Sequence, residues 1–293
     1  MKCRFIIFTA NMINMLKKLL TVFVVSLLVF GLSRCNNDSP TPPLQDPPPT
    51  TGIRTPDPII FHVDTVYPHD KEAFTQGLQF YNGKLYEGTG LPGKSTLRIV
   101  DIKSGKPLQK YLIPDPKTFG EGITIWNNKI YQLTWQDHKI IIYNLNDITK
   151  PTGSVHWKFE GWGITNDTKT LIISDGSDKL YYIRPDEPNN SIRLMKILSV
   201  ADNNGPVDSL NELEYIDGYI YANKWLTDNI YKIDTTSGHV VGIMNMSGLL
   251  QQYAPNEKVE EGGVLNGIAY DSTTKKLYIT GKLWPKMFEV RLN

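Results

Sequence analysis

The chain has 293 residues, of which 31 are basic and 30 acidic, for a formal net charge of +1. That balance, with no block of like charges, argues against a phosphate-tracking surface, and no nucleic-acid partner is expected. The two cysteines, Cys3 and Cys35, both precede the expected domain, which therefore has no disulfide, thiol nucleophile or thiolate metal site.

In chain order, residues 15–35 read MLKKLLTVFVVSLLVFGLSRC. Lys17 and Lys18 form a positive start. Residues 19–30 form an apolar run, short for a membrane span and of signal-peptide length. The run ends Leu32-Ser33-Arg34-Cys35, which resembles a bacterial lipobox with Cys35 as the lipidated residue. Arg34 departs from the small residue usual before that cysteine. Met15 opens a cleaner signal than Met1. An uncleaved N-terminal anchor is the alternative, and either version exports the domain and ties it to a membrane. The expectation is an exported bacterial lipoprotein of the cell envelope, periplasmic or associated with the outer membrane. Residues 36–58, NNDSPTPPLQDPPPTTGIRTPDP, are rich in Pro and poor in large apolar residues. Such a stretch cannot bury a core and favours extended chain. It reads as a spacer between the leader, residues 1–35, and one domain over residues 59–293.

From Ile59 onward, short segments rich in Ile, Val, Tyr and Leu alternate with Asn-Gly, Asp-Gly and Ser-Gly turns, and no window holds a helical period. The segments repeat. Gly77-Leu78-Gln79-Phe80 leads through Asn82-Gly83 into Lys84-Leu85-Tyr86. Gly122-Ile123-Thr124-Ile125 leads through Asn127-Asn128 into Lys129-Ile130-Tyr131. Gly163-Ile164-Thr165 leads through Asp167-Thr168 into residues 170–174. Glu212-Leu213-Glu214-Tyr215 leads through Asp217-Gly218 into Tyr219-Ile220-Tyr221. Gly267-Ile268-Ala269-Tyr270 leads through residues 271–274 into Lys276-Leu277-Tyr278. The copies stand roughly 40 to 55 residues apart, most with a fourth, outer strand such as 106–112 or 192–198, and they predict an all-β, five-bladed β-propeller. An irregular β-sandwich is the alternative. The last copy has three strands, while residues 60–66 form a strand without a partner. Pairing the two lets the N-terminal strand of the domain close the last blade and removes an exposed edge.

In a propeller, the loops leading into the innermost strands converge on one mouth of the central channel. Here they carry Gln76, Glu121, Trp162, Asn211 and Asn266, with Phe74 and Phe119 alongside. The ends of the second strands, with Trp135, Trp225 and Lys282, should open at the same mouth. Each residue has a bland reading. A tryptophan can be inter-blade packing, a Glu after Gly a turn residue, Gln76 and Asn211 partners for loop backbone, and Lys282 a solvated charge. What favours a site is that one repeat position carries different chemistry in each copy, where a structural repeat would reuse one residue type.

The runs Phe74-Thr75-Gln76-Gly77-Leu78, Phe119-Gly120-Glu121-Gly122, Tyr131-Gln132-Leu133-Thr134-Trp135, Glu160-Gly161-Trp162-Gly163, Asn211-Glu212-Leu213-Glu214 and Leu265-Asn266-Gly267-Ile268-Ala269-Tyr270 carry a resemblance. In order and across all five repeats, they resemble the plant and bacterial type of glutaminyl-peptide cyclotransferase. The resemblance covers residues 59–293. It implies a five-bladed propeller, unrelated to the zinc-dependent animal enzymes, that converts the N-terminal glutamine of a peptide or protein to pyroglutamate and releases ammonia. It implies Glu121 as the catalytic acid and base. It implies walls of Phe74, Phe119, Trp135, Trp162 and Trp225, with polar anchors at Gln76, Asn211 and Lys282. The nucleophile is then the substrate's own α-amine, so no cofactor or catalytic metal is expected. The scattered positions of His62, His69, His138, His156 and His239 agree with that, and a structural calcium in the ring is left open. An aromatic pit should raise the pKa of Glu121 by desolvation, with Lys282 opposing. A monomer is expected, touching membrane only through its N-terminal lipid. Two other classes stay open: a non-catalytic propeller that binds a peptide or sugar at the same mouth, and a calcium-dependent lactonase-like hydrolase using Glu121, Asn211 and Asn266.

Overall fold

The computed structural model describes residues 51–292. The leader with Cys35, and residues 36–50 of the spacer, lie outside the described residues. Blade 1 holds the strands Thr75–Tyr81, Lys84–Thr89, Thr96–Asp101 and Lys106–Leu112, in that order from the channel outward. Blade 2 holds Gly120–Trp126, Lys129–Thr134, Lys139–Asn144 and Asp147–His156. Blade 3 holds Ile164–Asn166, Leu171–Ser174, Lys179–Asp186 and Ser191–Ser199. Blade 4 holds Leu210–Ile216, Tyr219–Lys224, Asn229–Asp234 and Val240–Asn245. Blade 5 holds Leu265–Asp271, Lys276–Gly281 and Lys286–Leu292, and its outer strand is Phe61–Pro68, paired antiparallel with Lys286–Leu292. The first strands neighbour one another in turn, and that of blade 5 packs on that of blade 1. The five-bladed ring closed by the N-terminal strand is thus as expected.

Burial follows from this arrangement. Alternate side chains of each strand point into the two flanking interfaces. Five apolar clusters result, one per interface; the one between blades 2 and 3, for example, joins Leu133, Ile140 and Ile142 to Ile164, Leu171 and Ile173. A fully buried Ile or Leu contributes about 1.5–3 kcal/mol. The cluster between blades 5 and 1 is the smallest, built on Leu78, Leu85, Val100, Ala269, Tyr278 and Met287.

Each innermost strand leaves one backbone edge facing the channel, and those groups need partners. Side chains from other blades supply them. Gln79 Oε1 accepts from Ile125 N at 2.5 Å, Thr165 Oγ1 from Tyr215 N at 3.1 Å, and Glu214 Oε1 from Tyr270 N at 2.9 Å. Glu212 does more. Four blades have Gly77, Gly122, Gly163 and Gly267 at one inner position, and blade 4 has Glu212 there. Its Oε1 accepts from Leu78 N of blade 1 at 3.1 Å, and its Oε2 from Ile268 N of blade 5 at 2.8 Å. Glycine is required by close approach at Gly77, Gly122 and Gly163, and by a φ of +122 at Gly267. A Cβ on Gly163 would lie 1.9 Å from Asn211 O, and one on Gly77 2.3 Å from Ile123 N.

Two features differ from the sequence reading. The end of the Pro-rich segment belongs to a sheet: Asp57–Pro58 pairs parallel with Gly242 and Ile243 on the outer edge of blade 4. Proline is tolerated on a sheet edge, where its missing N–H costs nothing. A short helix, Leu249–Tyr253, and a hairpin of Ala201–Asp202 with Gly205–Pro206 sit in the connections flanking blade 4, too short to leave a period in the sequence. Among the described residues no helix is long and apolar enough to cross a membrane.

Candidate active site

The segments expected as loops at the channel mouth are largely strand, and they are bent by β-bulges. In blade 2, Gly120 pairs with Thr134 and Ile123 with Gln132, so Glu121 and Gly122 together face the single residue Leu133. The same register shift sets Gln76 in blade 1, Asn211 and Glu212 in blade 4, and Asn266 and Gly267 in blade 5. A bulge inserts a residue, bends the strand and re-aims a side chain. Trp135, Trp225 and Lys282 each stand directly after the second strand of their blade.

These elements enclose a cavity of about 280 Å³, lined by Phe74, Gln76, Phe119, Glu121, Trp135, Trp162, Asn211, Trp225 and Lys282. Nine of the ten mouth residues named from the sequence are there. Leu226, Gly262 and Val264 line it as well and had no signal in the sequence. Asn266 does not line it; its Nδ2 donates to Thr75 O at 3.0 Å and to Gln76 Oε1 at 3.3 Å. That bond occupies the Gln76 carbonyl and leaves its amide N–H groups for the cavity.

The walls form an aromatic arc. Phe74 meets Phe119 edge to face at 5.9 Å, and Phe119 meets Trp135 at 5.9 Å. Trp162 and Trp225 meet at 5.4 Å. Lys282 Nζ lies 5.0 Å from the Phe74 ring centroid, within cation–π range.

Glu121 is buried, at 5% exposure, and its Oε2 has no partner among the described residues. Burial raises its pKa well above the usual carboxylate value; the Lys282 charge opposes the rise and the Glu160 charge adds to it. Burial lowers the Lys282 pKa to about 8, with Glu121 pulling the other way. Asn211, 3% exposed, has an unpartnered Oδ1. The base of the cavity therefore presents unpaired acceptors beside an amide and an amine. Among the described residues, no three His, Cys, Asp or Glu side chains gather as a metal-holding group.

The family model for glutamine cyclotransferase matches residues 42–292. The chain belongs to the glutamine cyclotransferase family. It is 38% identical over 236 residues to the glutaminyl-peptide cyclotransferase of Arabidopsis thaliana, covering 77% of this chain and 69% of that protein. The crystal structure of Myxococcus xanthus glutaminyl cyclase superposes with a TM-score of 0.73 at 32% identity, covering 81% of this chain and 98% of that one.

Two parts of this glutamine cyclotransferase site escaped sequence reasoning. Glu160 stands behind the wall and joins its two halves. Its Oε2 accepts the indole N–H of Trp135 at 2.8 Å and of Trp162 at 3.2 Å, and its Oε1 accepts from Gln136 at 3.1 Å. Burial pushes its pKa up, but those three hydrogen bonds outweigh it and hold Glu160 ionised. The run Glu160-Gly161-Trp162 was visible, but the partner indole of Trp135 comes from another blade.

The second part fixes Lys282. The next residue, Leu283, has φ +58 and donates its N–H to Ala73 O at 2.7 Å. Trp284 O takes the His69 Nδ1 proton at 2.7 Å, and His69 Nε2 meets Glu87 Oε1 at 2.9 Å. Burial works against charge on both partners. The attraction between them wins, raising the His69 pKa and drawing Glu87 down to about 2 with help from Arg98 and Thr75. A buried ion pair therefore anchors the turn that carries Lys282.

Proposed function

We propose that this chain converts the N-terminal glutamine of a peptide or protein to pyroglutamate, with Glu121 as the proton carrier. The observation that carries the reading is Glu121 Oε2, buried and unpartnered at the base of an aromatic-walled cavity. Leaving such a group unpaired costs about 1–3 kcal/mol, a cost repaid when a ligand supplies the missing donor.

The substrate's α-amine attacks the side-chain amide carbon. A C–N bond forms and the carbonyl electron pair moves to oxygen. When that oxyanion collapses, the amide nitrogen leaves as ammonia. One proton must leave the attacking nitrogen and one must reach the leaving nitrogen. Glu121 serves both transfers, first as base and then as acid, and burial, by raising its pKa, strengthens it as a base. Gln76, Asn211 and Lys282 supply N–H donors for the oxyanion. The aromatic arc folds the glutamine toward its ring-closing conformer. At about 280 Å³ the cavity lies just below the usual ligand-pocket range, ~300–1,000 Å³, and suits one terminal residue. Substrate and Glu121 between them account for nucleophile and proton carrier, so the scheme calls on no cofactor or metal. The leader sequence supports export and a lipid on Cys35 as the membrane attachment of a monomeric enzyme.

The test is ammonia release from a Gln-initiated peptide by the full chain, with and without chelator. The wild-type rate should be unchanged by chelator. Glu121→Gln should keep the fold and lose at least ~100-fold in kcat, the scale of a lost general acid–base group. A folded variant with retained activity would remove Glu121 from the chemistry.

A further inference from the structure

The polar groups of the cavity lie at its base; its rim is apolar. Trp135 and Trp225 are each 39% exposed and Leu226 is 67% exposed. Of the chain's six tryptophans, these two alone are exposed, and both stand on this rim. Among the described residues, the charged ones lining the cavity are Glu121 and Lys282, and both are buried.

Leu226 is held out into water by its backbone. Its φ is +61, a left-handed conformation that a leucine adopts only under constraint. The constraint is visible on both sides. Trp225 N donates to Ser209 O at 2.9 Å, and Thr227 N and Oγ1 donate to Lys224 O at 3.1 and 2.8 Å. Lys224 is itself fixed to Asp208 at 3.0 Å. The turn thus fixes an apolar side chain at the mouth of a cavity already flanked by two indoles.

We infer that this rim seats the residue following the glutamine and selects an aromatic or apolar side chain there. The inference rests on the cyclotransferase reading. With the reacting glutamine at the polar base, the rest of the peptide leaves across the exposed rim, formed by Trp135, Trp225, Leu226 and Gly262. An apolar second residue covers exposed apolar surface, which is favourable. A charged one loses water and meets no counter-charge on the rim residues Trp135, Trp225 and Leu226. The contact is made equally in ground and transition states, so the preference should appear in KM rather than kcat.

The test compares Gln-Phe, Gln-Leu, Gln-Gly and Gln-Glu peptides of equal length with the full chain, measuring ammonia release. The kcat/KM for Gln-Phe and Gln-Leu should exceed that for Gln-Gly and Gln-Glu by about tenfold, the reach of one apolar contact. Leu226→Ser should shrink the Gln-Phe to Gln-Gly ratio to about threefold. Leu226→Gly, which suits the left-handed backbone, should do the same and guards against misfolding of the serine variant. Equal kcat/KM across the peptides, or a ratio unmoved by both substitutions, overturns the inference and leaves the cyclotransferase reading intact. No ammonia from any peptide overturns both.

Discussion

Glu160 touches no cavity surface, yet two wall indoles share one of its oxygens. Its charge also disfavours ionisation of Glu121. Glu160→Gln keeps the volume and one acceptor but removes the charge. The sign follows directly. Losing a nearby negative charge lowers the Glu121 pKa, so the base form persists to lower pH. The acidic limb of kcat/KM should move to lower pH, while KM rises severalfold as the indoles loosen. An unmoved limb would show that the Glu160 charge does not reach Glu121.

At the scale of elements, two backbone devices recur around the mouth. One is the bulge that places Gln76, Glu121, Asn211 and Asn266. The other is a left-handed residue two places after the second strand: Leu91 at φ +83, Gly176 at +82, Leu226 at +61 and Leu283 at +58. It turns the chain so that the preceding position faces the mouth, which is where Trp225 and Lys282 stand. In blade 1 that position is Gly90, and its empty space is filled by Phe119: a Cβ there would lie 2.3 Å from the ring. Gly90→Ala should therefore push Phe119 into the cavity. The expected result is at least a ~10-fold loss in kcat/KM, since displacements near 1 Å can cost ~100-fold, with only a small fall in melting temperature. Kinetics and thermal unfolding on one preparation check this; a large stability loss with normal kinetics would count against it.

What the sequence carried follows from the same devices. A period of strand and turn makes blades readable, and unlike residues at one repeat position mark a site, so Glu121 and its eight neighbours could be named. The bulges were not readable, because Phe-Gly-Glu-Gly fits a loop as well as a bent strand. Leu226 was not readable, because nothing in a leucine announces a left-handed backbone. The His69–Glu87 pair and the Glu160 bridge depend on which distant chains meet.

For the whole molecule, the weak point of a closed ring is the interface with least apolar packing. Here that is between blades 5 and 1, and polar contacts concentrate there. His69 and Glu87 link blade 1 to the turn at Trp284, and Glu212 reaches across the channel to Leu78 and Ile268, one residue on each side of that interface. Beyond the ring, the proposed lipid on Cys35 implies that Cys35→Ala moves the protein from the membrane to the soluble fraction. Wild-type protein found soluble after expression with its leader would count against it.

The pairing of Asp57–Pro58 with Gly242 and Ile243 bears on mechanics. Any force applied to the N-terminal segment meets blade 4 before it meets Phe61–Pro68, the strand that shuts the ring. The Ile59 N–H bond to Ile243 O, at 2.9 Å, adds to that grip. Parallel strands drawn along their own axis must break their bonds together, whereas a strand peeled from its end gives them up singly. The clasp therefore acts as a strain relief, like the collar where a cable enters a plug, and the closing strand sits behind it unloaded.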